Sequence, residues 1–143
     1  MIAYFDTSAL VPLIVAEPGS PVARELWDGA SRVASVRLVY PEARAALAQA
    51  RRAGRLTSRQ LRAAVRALDA CYLQLDAVEV DETLAHHAGE LAEAHDLRGY
   101  DAVHLAAALR LDDVELVVAA GDRALVAAAG ELGLGTAIIG GRS

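Results

Sequence analysis

Met1-Ile2-Ala3-Tyr4-Phe5-Asp6-Thr7-Ser8-Ala9-Leu10 opens the chain, and its reading decides the fold. Five residues rich in bulky and aromatic side chains predict a short buried strand, and an acid followed by two hydroxyl residues marks its exit into a helix. Asp6 then stands at the carboxyl end of a strand. In open α/β sheets ligands bind along that edge, so an acid there projects towards a crevice shared with other strand exits. The competing reading is local: Asp6, Thr7 or Ser8 caps the helix. What separates the two is whether acids recur at equivalent places.

Working outward, the same alternation repeats. A helix to about residue 15 is followed by the turn Glu17-Pro18-Gly19-Ser20 and a second helix over 21–29, on which Trp27 is expected to pack. Strands are predicted over 32–36, 77–81, 115–119 and 136–139. Helices are predicted over 38–53, 57–75, 82–96, 101–109 and 122–132, with Gly54 ending the first of these and Thr57-Ser58 capping the next. Strands alternating with helices, in pairs between some strands, imply a three-layer α/β/α sandwich around a mainly parallel five-stranded sheet. A length of 143 residues with 55% apolar composition suits a single domain spanning 1–143.

Composition narrows the chemistry. The lone cysteine, Cys71, forms no intramolecular disulfide and gives no cysteine-based zinc site, and is read as a small core hydrophobe. All 14 basic residues are arginine. Without lysine there is no phosphate-loop lysine and no Schiff base. The start lacks a basic leader and the apolar runs are too short to span a bilayer, so a cytoplasmic protein with no membrane contact is expected. His86, His87 and His95 lack the spacing of four that a helical metal pair uses and are read as surface or internally bonded residues.

Charge is unevenly placed. The net charge is −5, yet between Ala43 and Leu68 there are seven arginines and no acid. Arg55, Arg59, Arg62 and Arg66 recur at spacings of four, three and four and form one stripe on the predicted helix. Such runs are often solvated faces; the lack of acids to pair with this one argues equally for a binding surface.

Acids do recur at strand exits. Asp6 follows the first strand and Asp122 the fourth, Glu42 lies in the first turns of the helix after the second, and Asp101 opens the helix leading to the fourth. Taken singly, Asp101 and Asp122 are plausible caps and Glu42 a solvent-facing acid. Brought to one end of a parallel sheet, the four carboxylates would repel one another unless cations neutralise them, and oxygen-only ligands select magnesium or manganese.

Four motifs carry a resemblance: Phe5-Asp6-Thr7-Ser8-Ala9-Leu10, Pro41-Glu42-Ala43, Tyr100-Asp101-Ala102-Val103-His104-Leu105-Ala106 and Gly121-Asp122-Arg123-Ala124-Leu125. In this order and at these intervals the chain resembles a PIN domain, and more narrowly the VapC toxins of type II toxin–antitoxin systems. The resemblance implies that Asp6, Glu42 and Asp101 hold the metal with Asp122 as a supporting fourth, and that Ser8 supplies a hydroxyl nearby. His104 is read as packing or hydrogen bonding, not as a ligand. One departure is Ala120, where the family commonly has threonine.

The implied activity is Mg2+- or Mn2+-dependent endoribonuclease cleavage, leaving 5′-phosphate and 3′-hydroxyl ends. The implied partners are an RNA substrate, a cognate antitoxin and a second copy in a homodimer. The arginine stripe would then serve RNA, antitoxin or dimer. Two alternatives stay open: a catalytically inert PIN-like module that binds RNA or protein, and a DNA-directed or structure-specific nuclease using the same acids.

Overall fold

The computed structural model describes residues 1–140, and residues 141–143 of the expected domain lie outside the described residues. Strand β1 (Ile2–Phe5) leads into helix α1 (Thr7–Leu10), which tightens into a 3-10 turn at Val11–Leu13, where Pro12 cannot donate to a continuing α-helix. Then follow α2 (Ser20–Gly29), β2 (Arg32–Val36), the hairpin α3 (Val39–Arg52) and α4 (Ser58–Gln74), β3 (Asp76–Val78), α5 (Glu82–His95), α6 (Gly99–Arg110), β4 (Val117–Ala120), α7 (Arg123–Glu131) and β5 (Gly135–Ile138).

All five strands are parallel, in the order β3-β2-β1-β4-β5. β1 is therefore central, pairing Ala3 with Val33 on one side and with Val117 on the other. Its four residues are all buried, as a parallel strand covered on both faces requires. Alternation along it divides the core. Ile2 and Tyr4 pack with Leu84, Leu91, Leu105 and Leu125 of α5, α6 and α7, while Ala3 and Phe5 pack with Leu10, Trp27, Leu47 and Leu68 of α1 to α4. This is the expected α/β/α sandwich. Trp27 packs edge-on against Phe5, with ring centroids 5.3 Å apart.

Element boundaries differ from expectation where a polar side chain is recruited. The third strand stops at Val78 instead of residue 81, because Asp81 leaves the strand direction to cap α5 through Leu84 N–H, 2.8 Å away. α6 starts at Gly99, two residues early, so Asp101 lies in its first turn and caps nothing. Gly54, at φ +80°, closes α3 in the left-handed conformation that glycine adopts without strain. Thr57 and Gln60 exchange bonds in a capping box that starts α4. No helix among the described residues is long and apolar enough to cross a membrane.

Candidate active site

Parallel strands deliver their exits to one edge, and the acids gather there. Asp6 follows β1 directly and caps α1, its Oδ1 accepting from Ala9 N–H at 2.9 Å. Capping and site membership are thus compatible. Ser8 donates to both carboxylate oxygens at 2.7 and 2.9 Å and accepts from Gly121 N–H at 2.7 Å, tying the β1 exit to the β4 exit. A Cβ at Gly121 would press within 3.2 Å of the Ser8 hydroxyl, so glycine lets this backbone approach. Asp6 is only 4% exposed. Burial pushes its pKa up to about 6, against the charge of His104 and the bonds from Ser8 and Ala9, with the nearby Asp101 charge adding to the rise.

Glu42 enters from the first turn of α3, where Pro41 loses no helical bond and the helix dipole favours an anion. Thr7 donates to its Oε1 at 2.8 Å and His104 Nε2 lies 2.9 Å from the same oxygen. Burial by itself would raise Glu42, but the bond and charge of His104, joined by the Thr7 bond, hold it below its ordinary value. A carboxylate only accepts, so Nε2 carries a proton. On the far side of the ring Nδ1 meets the buried Tyr4 hydroxyl at 2.8 Å. His104 sits three residues after Asp101 on α6, hence on the same face, and is a bonded buried residue as the sequence suggested.

Asp122 caps α7 through Leu125 N–H at 3.0 Å. Arg98 bridges it to Asp101, with Nε 3.5 Å from Asp101 Oδ2 and a terminal nitrogen 3.4 Å from Asp122 Oδ2. Burial and the charge of Asp122 raise the Asp101 pKa, while Arg98 and His104 partly offset the rise. Glu42 and Asp101 share one cavity of about 360 Å³ with Arg98, Gly99 and Tyr100.

Among the described residues no three His, Cys, Asp or Glu groups converge closely enough to form a ready coordination sphere. The donor chemistry nevertheless fits a hard cation. The four acids offer oxygen alone; Asp6 and Asp101 are both penalised as anions and face each other electrostatically, and a guanidinium already spans Asp101 and Asp122. At Ala120 the side chain is fully buried and adds no hydroxyl; the Ser8 hydroxyl crosses to the neighbouring Gly121 instead.

The arginines lie elsewhere. Arg55 precedes the Thr57 cap and stands in the turn between the helices, so only Arg59, Arg62 and Arg66 form a helical stripe. They project opposite Ala64 and Leu68, which face the core, and among the described residues none of the four side chains makes an ion pair or hydrogen bond. Arg51 bonds Ser58 and Tyr40 bonds Asp69, so α3 and α4 run antiparallel and the stripe starts at the end of the hairpin remote from Glu42. His86 and His87 are exposed, and His95 lies 3.7 Å from Glu131. Cys71 is only partly buried against the second core, and burial pushes its thiol up.

Sequence reasoning did not find Thr7, Tyr4 or Arg98 as parts of this site. Each is fixed by a partner that only the fold brings close.

The PIN domain family profile matches residues 3–131. Over 124 residues, 87% of this chain and 86% of theirs, the chain is 50% identical to Ribonuclease VapC45 of Mycobacterium tuberculosis strain CDC 1551 and to Ribonuclease VapC49 of strain H37Rv. The crystal structure of PAE2754 from Pyrobaculum aerophilum superposes with a TM-score of 0.71 at 24% identity, covering 95% of this chain and 83% of that one. VapBC-1 from nontypeable Haemophilus influenzae superposes with a TM-score of 0.63 at 15% identity, covering 96% and 98%. These two establish shared fold. The chain belongs to the PIN-domain family. Its identity to two named ribonucleases over most of both chains places it in the VapC branch of toxin ribonucleases.

Proposed function

We propose that this PIN-domain ribonuclease hydrolyses RNA phosphodiesters with Mg2+ or Mn2+ held by Asp6, Glu42, Asp101 and Asp122. In this reading one domain spanning the chain acts in the cytoplasm as the toxin of a type II pair, forms a homodimer and is silenced by a cognate antitoxin. The observation that carries the metal reading is the electrostatic frustration of the acid edge: a carboxylate buried at 4% exposure faces a second acid whose pKa is raised by burial and by the charge of a third. A divalent cation, when bound, lowers the pKa of water and stabilises the charge that develops on the phosphate.

The chain's own residues do the positioning. Ser8 and Ala9 N–H fix Asp6, Thr7 and His104 fix Glu42, and Leu125 N–H fixes Asp122, so three acids are aimed before any substrate arrives. Such restraint lowers the reorganisation needed at the moment of reaction. The exposed Arg55, Arg59, Arg62 and Arg66 then serve RNA, antitoxin or the dimer, and the start of the stripe at the end of the hairpin remote from Glu42 favours the antitoxin.

The test is cleavage of a mixed tRNA and rRNA pool with Mg2+ or Mn2+, against EDTA and against an Asp6→Asn, Asp101→Asn double variant. Cleavage leaving 5′-phosphate and 3′-hydroxyl ends, lost with EDTA and in the variant, is the expected result. Cleavage that survives EDTA, or that the double variant retains, overturns the metal reading. Equal cutting of matched DNA strands overturns the restriction to RNA.

A further inference from the structure

The turn that presents Asp101 also presents Tyr100. Tyr100 is 59% exposed, and among the described residues neither its hydroxyl nor its ring has a bonding or stacking partner. Large exposed aromatics beside a catalytic edge call for an explanation, because burial against the helix would otherwise be favourable. Tyr100 lines three cavities: one of about 390 Å³ is walled by Ala88, Ala92 and Val103 of α5 and α6 and holds no acid, and the two others both border Glu42. Of these two, one is the charged space of about 360 Å³ that Tyr100 lines with Glu42, Arg98 and Asp101. The other, of about 230 Å³, is formed by Leu38, Pro41 and Ala45 with Tyr100, and Glu42 is its one charged wall. Glu42 and Tyr100 belong to both, so the apolar space adjoins the acid site.

We propose that Tyr100 and the apolar cavity formed by Leu38, Pro41 and Ala45 are a nucleobase subsite, which holds an unpaired RNA base beside the phosphate that is cut. A polynucleotide alternates charged phosphate with a planar, largely apolar ring, and this edge offers an acid, cation-seeking space directly next to an aromatic-walled one. The lining brings no amide or guanidinium to the base edge, and its one carboxylate, Glu42, is already engaged by Thr7 and His104, so the ring is held by stacking and not by reading its hydrogen-bonding groups. The subsite therefore accepts any base but demands that it be unstacked. Bases inside an A-form duplex cannot swing onto Tyr100, and the subsite selects single-stranded segments and loops.

This inference rests on the proposed nuclease reading, and its test separates the two. Binding is measured by fluorescence anisotropy with fluorescein-labelled oligo(A) and oligo(U) and with their annealed duplex. The full chain carries Asp6→Asn to prevent cutting while keeping a residue that caps α1 as well as aspartate does. In that background Tyr100→Ala is expected to weaken binding of both single strands by about tenfold, and Tyr100→Phe to stay within about threefold, because stacking needs only the ring. Duplex binding is expected to be weaker than single-strand binding and unmoved by either change.

Single-strand affinity that Tyr100→Ala leaves intact overturns the subsite, as does a parent that binds no single strand or a Tyr100→Phe loss equal to that of alanine. Unmoved RNA binding with an altered oligomeric state overturns it and assigns the face to a protein contact. Wild-type cleavage of the mixed RNA pool is followed in parallel. Tyr100-dependent binding without cleavage defeats the nuclease reading alone; cleavage with Tyr100-independent binding defeats the subsite alone.

Discussion

His104 Nε2 lies 2.9 Å from Glu42 Oε1, while Nδ1 of the same ring meets the Tyr4 hydroxyl 2.8 Å away on the opposite side. A buried ring is thereby pinned between the central strand and the acid edge. His104→Ala leaves Glu42 short of a donor and takes one of its partners from the buried Tyr4 hydroxyl, at an expected cost of about 1–3 kcal/mol. His104→Gln, which still offers Glu42 a donor, recovers part of it. Thermal unfolding of the two variants checks this, and equal stability to wild type would sink the network.

Asp6 makes the fold pH-sensitive in the direction opposite to a salt-bridged acid. Its folded pKa of about 6 exceeds the ordinary 3.8, so the folded chain holds the proton more tightly and stability falls as pH rises between those values. The shift corresponds to about 3 kcal/mol lost above that window. Glu42 contributes the other way: its lowered pKa adds stability above the ordinary carboxylate range that is lost as pH falls. Without divalent metal, Asp6→Asn should therefore unfold at a higher temperature than wild type near pH 8, with the gap closing near pH 4. Added Mn2+ should raise the wild-type midpoint and leave the variant's nearly unchanged. A variant less stable than wild type at alkaline pH would show that burial of the charge is not the dominant cost.

Arg98 competes with metal. It spans Asp101 and Asp122 at 3.5 and 3.4 Å, but its side chain is 84% exposed and the contacts are long, so the interaction is weak. Arg98→Ala is expected to tighten Mn2+ binding by about fivefold at most, read by calorimetric titration. Weaker binding in the variant would show that Arg98 supports the cation site instead.

Arg59→Glu with Arg62→Glu should leave the melting temperature within about a degree of wild type, since neither residue has a partner to lose. Antitoxin binding should weaken strongly while RNA cleavage is kept. Were RNA binding to fall instead, with its salt slope reduced by about two, the stripe would belong to the substrate. No change in either would make it solvated surface.

Much of this architecture is legible in the sequence because strand exits announce themselves. Phe5-Asp6-Thr7 and Ala120-Gly121-Asp122 each join an apolar run to a polar cap, and alternating strands and helices admit few topologies besides a covered parallel sheet. Two boundary errors concern aspartates near helix starts, whose capping role the sequence leaves open. Asp101 looks like a cap and is not, since α6 begins at Gly99 under Arg98 and leaves that carboxylate to the site. Asp81 reads as the end of a strand and is a cap. Contacts among Tyr4, Thr7, Glu42 and His104 span up to 100 residues of chain and depend on helix rotation, which apolar spacing fixes for the core face and leaves open for the polar edge.

The order of the strands also bears on how such an enzyme is made. β1 precedes the other four strands in the chain, yet one of its two neighbours is β4, the fourth in order, whose Ala119 pairs with Phe5. Until that strand emerges, Asp6 has no facing edge, Ser8 has no Gly121 to bond, and Asp122 has not been translated. Every nascent chain is thus short of its last acid and open along its central strand. An enzyme that cuts RNA is assembled by a machine built of RNA, and the parallel crossover postpones a complete acid edge until β4 and Asp122 have been made.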